Sequence, residues 1–200
     1  MKITREMLKA KNACAEGYRA FCEAYPEKEY PEGAEYQEVL DNCAENDKDE
    51  YALWLIDMFG QTNGARFIDG DLITDKSIFV CGSLEVTGKI ICKKYVRTGR
   101  GIKAGRGIKA GRGIEAGWGI EAGCGIEAGW GIEAGWGIKA GCGIEAGCGI
   151  EAGRGIEAGN NYGIYAGLNC TINSDYRFVR AKERPANLMC GKFEAVSNDE

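Results

Sequence analysis

From Gly101 to Asn160 the chain is one six-residue phrase, repeated without interruption. Gly-Ile-Lys-Ala-Gly-Arg occurs twice. Eight variants follow in which the third residue is Glu or Lys and the sixth is Trp, Cys, Arg or Asn. The register extends upstream through less regular sequence. Leu72, Ile78, Leu84, Ile90, Val96 and Ile102 lie six apart, and the series runs on to Ile156, making 15 rungs. Two residues after these anchors stand Thr74, Val80, Val86, Cys92 and Thr98, then Ala104 and its repeats. Such a strict period means stacked units, none of which is stable alone.

The phrase also dictates its local conformation. Ile and Ala, two apart, project to one side of a short strand, and the Lys or Glu between them to the other. The apolar pair therefore faces an interior and the charge faces water. Gly-Xaa-Gly is expected to make a sharp corner through glycine's access to positive φ. Three six-residue sides close a coil of 18 residues, and stacked coils pair at about 4.8 Å. The expected fold is mainly β: a triangular parallel β-solenoid with an N-terminal α-helical domain and a C-terminal cap. The 31 glycines accompany only 3 prolines, which excludes collagen and Pro-rich disorder.

Residues 18 apart are expected to stack. Lys103, Glu121, Lys139 and Glu157 then form one outward column of alternating charge, and Lys109, Glu127 and Glu145 a partly matched second. Glu115, Glu133 and Glu151 form an all-acidic third. An arginine cannot sit unpaired inside so narrow a coil, so the sixth residue is placed outside. One edge stacks Arg100, Trp118, Trp136 and Arg154. Another stacks Arg106, Cys124, Cys142 and Asn160, and the third Arg112, Trp130 and Cys148.

The expected boundaries are an acidic helical domain over 1–66, the solenoid over 67–172 and a cap with tail over 173–200. Residues 1–60 carry 14 acidic and 7 basic side chains. Asn12 is read as the cap of a helix bearing Cys14, Tyr18, Phe21 and Cys22, stopped by Pro26. A second helix carries Tyr36, Val39, Leu40 and Cys43. A third carries Tyr51, Trp54, Leu55 and Met58 and ends at Gly60. These helices are expected to cover the open end of the solenoid. A two-residue insertion at Asn160–Gly163 breaks the register. Ile164, Leu168 and Ile172 then lead into Tyr176–Val179, residues 187–195 fold over the last coil, and 197–200 are expected to fray.

Several function classes are disfavoured. Histidine is absent, which removes the commonest general base and metal ligand. No CxxC pair exists among the ten cysteines, and the N-terminus has no apolar signal core. The expectation is a non-catalytic cytoplasmic protein with reduced thiols, no metal, no cofactor, no membrane association and no small-molecule substrate.

The six-residue register, its Leu/Ile/Val anchors and the approach through Ile78-Phe-Val-Cys-Gly-Ser-Leu-Glu-Val-Thr-Gly-Lys-Ile90 resemble the bactofilin type of triangular β-helix. The Gly-Ile-Glu-Ala-Gly-Trp rungs are also similar to those of hexapeptide-repeat proteins of bacterial and prophage origin. The resemblance implies architecture over about half the chain. Hexapeptide acyltransferases are similar only in period, and they use a histidine base. The leading expectation is a macromolecule-binding solenoid, in its concrete form a phage or prophage inhibitor of a bacterial defence complex, as anti-CRISPR proteins are. The rivals are a self-assembling structural solenoid and a nucleic-acid mimic or binder.

Trp118, Trp130 and Trp136, with Arg100 and Arg154, are the candidate contacts for a protein partner, either a host macromolecule or a second copy in a homodimer. Exposed tryptophan beside arginine has the composition of an interface hot spot. Lys93, Lys94, Arg97, Arg106, Lys109 and Arg112 lie in a stretch without acidic residues and form a weaker candidate for anions or nucleic acid.

Overall fold

The computed structural model describes residues 1–170, 175 and 177–196. The notional anchor Ile172, Tyr176 and the tail 197–200 lie outside the described residues. At the N-terminus, β1 (Lys2–Ile3) pairs antiparallel with β2 (Ala34–Glu35). The same part of the chain holds four helices: α1 (Arg5–Ala10), α2 (Ala15–Ala24), α3 (Tyr36–Glu45) and α4 (Asp49–Phe59). Asn12 does not cap α2. Its backbone takes φ 56° in the α1–α2 connection, a conformation Asn tolerates. The cap is Cys14, whose Sγ accepts from the Gly17 amide at 3.3 Å. Gly60 ends α4 with φ 69°.

The solenoid begins with β3 (Ala65–Ile68), β4 (Leu72–Thr74), β5 (Ile78–Val80), β6 (Ser83–Val86), β7 (Ile90–Cys92) and β8 (Val96–Thr98). Nine three-residue strands follow, one every six residues, from β9 (Ile102–Ala104) to β17 (Ile150–Ala152). The chain closes with β18 (Ile156–Glu157), β19 (Ile164–Ala166), β20 (Phe178–Ala181), β21 (Leu188–Cys190) and β22 (Lys192–Ala195). All pairing in the solenoid is parallel. It gives two seven-stranded sheets and one of six strands, uniting every third strand up to β20, after which β19 pairs with β21 and β20 with β22. Leu84, Ile102, Ile120, Ile138 and Ile156 stand in one column, as an 18-residue coil requires. These isoleucines and the alanines two residues on form one continuous core. Each buried isoleucine contributes roughly 1.5–3 kcal/mol.

The corner glycines are needed for a reason other than the expected one. None of the repeat glycines from Gly82 to Gly163 has a left-handed φ. The constraint is contact between coils. A Cβ on Gly123 would lie 2.2 Å from the Gly105 carbonyl oxygen, and one on Gly135 would lie 2.1 Å from that of Gly117. The second glycine of each phrase is therefore where one coil's carbonyl presses on the next coil's Cα. The glycine before the isoleucine is looser in most rungs: a Cβ on Gly125 would sit 3.3 Å from the Gly143 oxygen, whereas Gly149 and Gly163 are backed by side chains of the C-terminal coil.

At the C-terminal end the two-residue insertion is absorbed in the turn at 160–163, and Ile164 rejoins the Ile144 column. Leu168 is not an anchor but points to solvent, and Val179 takes the next column position above Ile150. Residues 187–195 do not lie over the last coil. They build it, with Val179 paired to Phe193 and Ile164 to Leu188.

At the opposite end the helices meet the edge and outer face of β5, by a device that the sequence did not disclose. Gln37 on α3 donates to the Phe79 carbonyl at 2.8 Å and accepts from the Cys81 amide at 3.1 Å. Its amide thus satisfies the free edge of β5 as another strand would. The Phe79 side chain, on the outer face of β5, is buried in the helical core. Arg66, in the first position of the Leu84 column, pairs with Asp41 of α3 at 2.8 Å.

Two substitutions separate the two glycine roles. Gly123→Ala should destabilise the chain by about 3 kcal/mol or more, because backbone must move. Gly125→Ala should cost clearly less. Thermal or urea unfolding of both variants measures the difference, and equal losses would contradict the carbonyl contact. Ile120→Asp should unfold several coils together, since an unpaired buried charge acts on both neighbouring coils.

Candidate functional site

The corner residues face outward as expected, and one edge carries an ordered ladder. The Arg100 guanidinium lies over the Trp118 ring at 3.9 Å. Trp118 stacks on Trp136 with centroids 5.4 Å apart and planes 6° from parallel, and Arg154 lies over Trp136 at 4.6 Å. The backbone sets this geometry. Each corner amide bonds to the corner carbonyl of the preceding coil, as Trp136 does to Trp118 at 3.0 Å, so rings 18 residues apart come into register. Exposed cation–π contacts contribute about 0.5–1 kcal/mol each. Arg100 is held further by the Asn63 side chain at 3.2 Å.

Trp130 stands on a different edge. It meets Tyr95 edge-on at 5.8 Å, and Arg112 lies over both rings at 5.7 and 5.2 Å. Sequence reasoning missed Tyr95. It occupies the pre-anchor position that glycine fills in the perfect rungs, and that exception was the available signal. Because Tyr95 also packs against the helical core, Trp130 is tied to the helical domain rather than to the Trp118–Trp136 edge. Trp130 and Trp136 each leave about half of their surface exposed, while Trp118 is half-buried between its neighbours.

Five of the six basic candidates have carboxylate partners. Lys93 meets Asp75 at 2.8 Å, Lys94 meets Asp47 at 2.7 Å, and Lys109 meets Glu127 at 2.7 Å. Arg97 pairs with Asp57 and Glu115, and Arg112 lies 3.6 Å from Asp49. Among the described residues only Arg106 of the six has no such partner. Three of these pairs, Lys94–Asp47, Arg97–Asp57 and Arg112–Asp49, cross the junction between helices and solenoid, and the others lie within the solenoid. Hydrogen bonds from Lys76 and Lys94 hold the Asp47 carboxyl down at about 2.

The outward columns run as expected, although ion pairs form at only some steps. Lys139 reaches Glu157 at 3.3 Å. The acidic column of Glu115, Glu133 and Glu151 is bracketed by Arg97 below and by Arg180, 3.2 Å from Glu151, above. Burial raises the Glu115 carboxyl above its ordinary value. All ten cysteines are free thiols. Cys148 and Cys170 lie close together, their sulfurs 3.7 Å apart. The described residues hold no cluster of ligands fit for a metal ion. No helix among them is long and apolar enough to cross a membrane.

Residues 1–62 match the family model described as the YdhT N-terminal domain. That family is neither a bactofilin nor a hexapeptide-repeat family, so the likeness seen in the rungs extends to solenoid architecture alone. Comparison with curated proteins and with solved structures finds no match.

Asp47 gives a pH test. A carboxyl lowered by folding contributes stability above its unfolded value, near 4, and loses it as pH falls towards 2. Acid titration of the melting temperature should show a loss in this window, and Asp47→Asn should remove that part of it. An unchanged acid profile in the variant would contradict the Lys76–Asp47–Lys94 bridge.

Proposed function

We propose that the chain is a non-catalytic binding module that offers the Arg100–Trp118–Trp136–Arg154 edge to a protein partner. The observation that supports this reading is the ladder itself. Two large aromatics and two arginines are stacked and ordered before any partner arrives, and the rim of Trp136 is open to solvent. Pre-ordering reduces the entropy lost on association. Trp and Arg are also the residue types that dominate interface energetics.

Protein is favoured over nucleic acid for two reasons. The ring faces that would stack on bases are taken up by one another and by the arginines. The basic residues that would meet phosphates are mostly paired with carboxylates. In its most concrete form the partner is a bacterial defence complex that the chain inhibits, a proposal that follows from the prophage-like character of the rungs.

Self-assembly into a structural solenoid is the second reading. Its support is the last described coil: the outer edges of β21 and β22 pair with no further strand among the described residues, and Met189 on β21 is 67 % exposed. The two readings separate experimentally. Trp118→Ala and Trp136→Ala should preserve the circular dichroism spectrum. Each should weaken capture of the partner from bacterial lysate by about 2 kcal/mol, roughly thirtyfold. Their effects should be coupled, while Trp130→Ala acts independently. Concentration-dependent filaments abolished by Met189→Lys, with partner capture unaffected by the tryptophan variants, would instead establish the second reading.

A further inference from the structure

The helical domain contains an apolar cavity that the solenoid reading does not use. It has a volume of about 330 Å³ and lies between α2, α3 and α4. Phe21, Tyr25, Val39, Tyr51, Trp54 and Leu55 form most of its wall. Its opening is rimmed by the exposed Asn12, Lys48 and Glu50. Every lining residue lies between Leu8 and Leu55, inside the segment that matches the YdhT N-terminal domain, so no residue of the repeat takes part.

We propose that this cavity is a binding site for a neutral aromatic small molecule of one or two rings. Close-packed interiors leave few voids larger than a water molecule. At about 330 Å³ and with a largely apolar lining, the pocket falls at the small end of the range of small-molecule sites, which suits one or two rings. Four aromatic side chains supply faces and edges for ring contacts, and Tyr51 and Trp54 keep part of their surface uncovered. The two charged lining residues, Lys48 and Glu50, have opposite signs, so the lining itself carries no net charge.

Polar recognition comes from two groups on α3. Asn42 lines the wall with an amide. The buried Cys43 thiol, pushed up to about 11, stays protonated and can donate weakly. Lys48 at the rim is offset by Glu50, and the apolar wall beyond offers no counter-ion to a desolvated charge, which selects against carboxylates and sulfonates.

The test uses the full-length chain and N-phenyl-1-naphthylamine, a neutral probe whose fluorescence rises in apolar surroundings. The expected result is saturable binding at one site per chain. Ala20→Phe and Ala13→Phe each place a ring in the cavity and should weaken binding at least tenfold while the circular dichroism spectrum is retained. Ala13 precedes α2, so its variant decides the matter if the helical one fails to fold. The anionic relative 8-anilino-1-naphthalenesulfonate should bind at least tenfold more weakly. The Trp118→Ala, Trp136→Ala double variant should bind the neutral probe as the parent does. Non-saturating fluorescence, binding unchanged in a folded Ala13→Phe chain, or binding lost with the ladder tryptophans would each overturn the proposal.

Discussion

The whole solenoid depends on how closely one coil's carbonyls can approach the next coil's Cα atoms. That approach lets each corner amide bond to the coil before it, as Gly123 does to Ala104 at 3.1 Å and Cys124 to Arg106 at 3.1 Å. A side chain at Gly105, Gly111, Gly117 or their equivalents would collide with backbone, which cannot swing aside. The glycine content is therefore the cost of pairing the corners as well as the sides. Once the coils close to this spacing, Ile stacks on Ile and Ala on Ala, and the interior fills without further specification. Six residues per side and three sides per coil then fix what stands 18 residues away from any given position.

That fixed relation explains why so much of the repeat was legible. The outward column Lys103–Glu121–Lys139–Glu157 and the edge Arg100–Trp118–Trp136–Arg154 follow from counting alone once the anchors are recognised. What counting cannot reach is anything that leaves the period. Gln37 imitates a strand through its side-chain amide, and no pattern in the sequence marks it. Tyr95 replaces a glycine and draws Trp130 towards the helices. Leu168 has an anchor's side chain but points outward, because it stands four residues after Ile164, in the corner position of its phrase. The cause assigned to the corner glycines was a local torsion, whereas the real cause lies one coil away. At the spacing of paired strands the second glycine of each phrase meets a carbonyl of the neighbouring coil, a contact that the φ preference of glycine does not reveal.

Charge divides along the same line. The acidic helical front and the basic stretch of the early coils look like separate surfaces in sequence, and a basic stretch without acids suggests an anion site. In three dimensions they face each other, with Asp47, Asp49 and Asp57 set against Lys94, Arg112 and Arg97. Their complementarity fastens the helices to the flank of the first coils. It leaves the tryptophan edge as the ordered, exposed feature of the repeat and the apolar cavity as that of the helices. Under the two proposals the repeat offers a rigid aromatic edge to a macromolecule, and the helical domain offers a small pocket to a ring.

The most direct test of this account is residue-resolved amide hydrogen exchange across the repeat, measured by nuclear magnetic resonance. Corner residues such as Arg106, Cys124 and Trp136 have exposed side chains, yet their amides are bonded to the preceding coil. The account predicts protection of these corner amides close to that of the interior isoleucines from Ile102 to Ile150. Corner amides that exchange at unprotected rates while the isoleucine amides stay protected would contradict it. The strands would then pair without the corner contacts on which the glycines, the stacking register and the tryptophan ladder all depend.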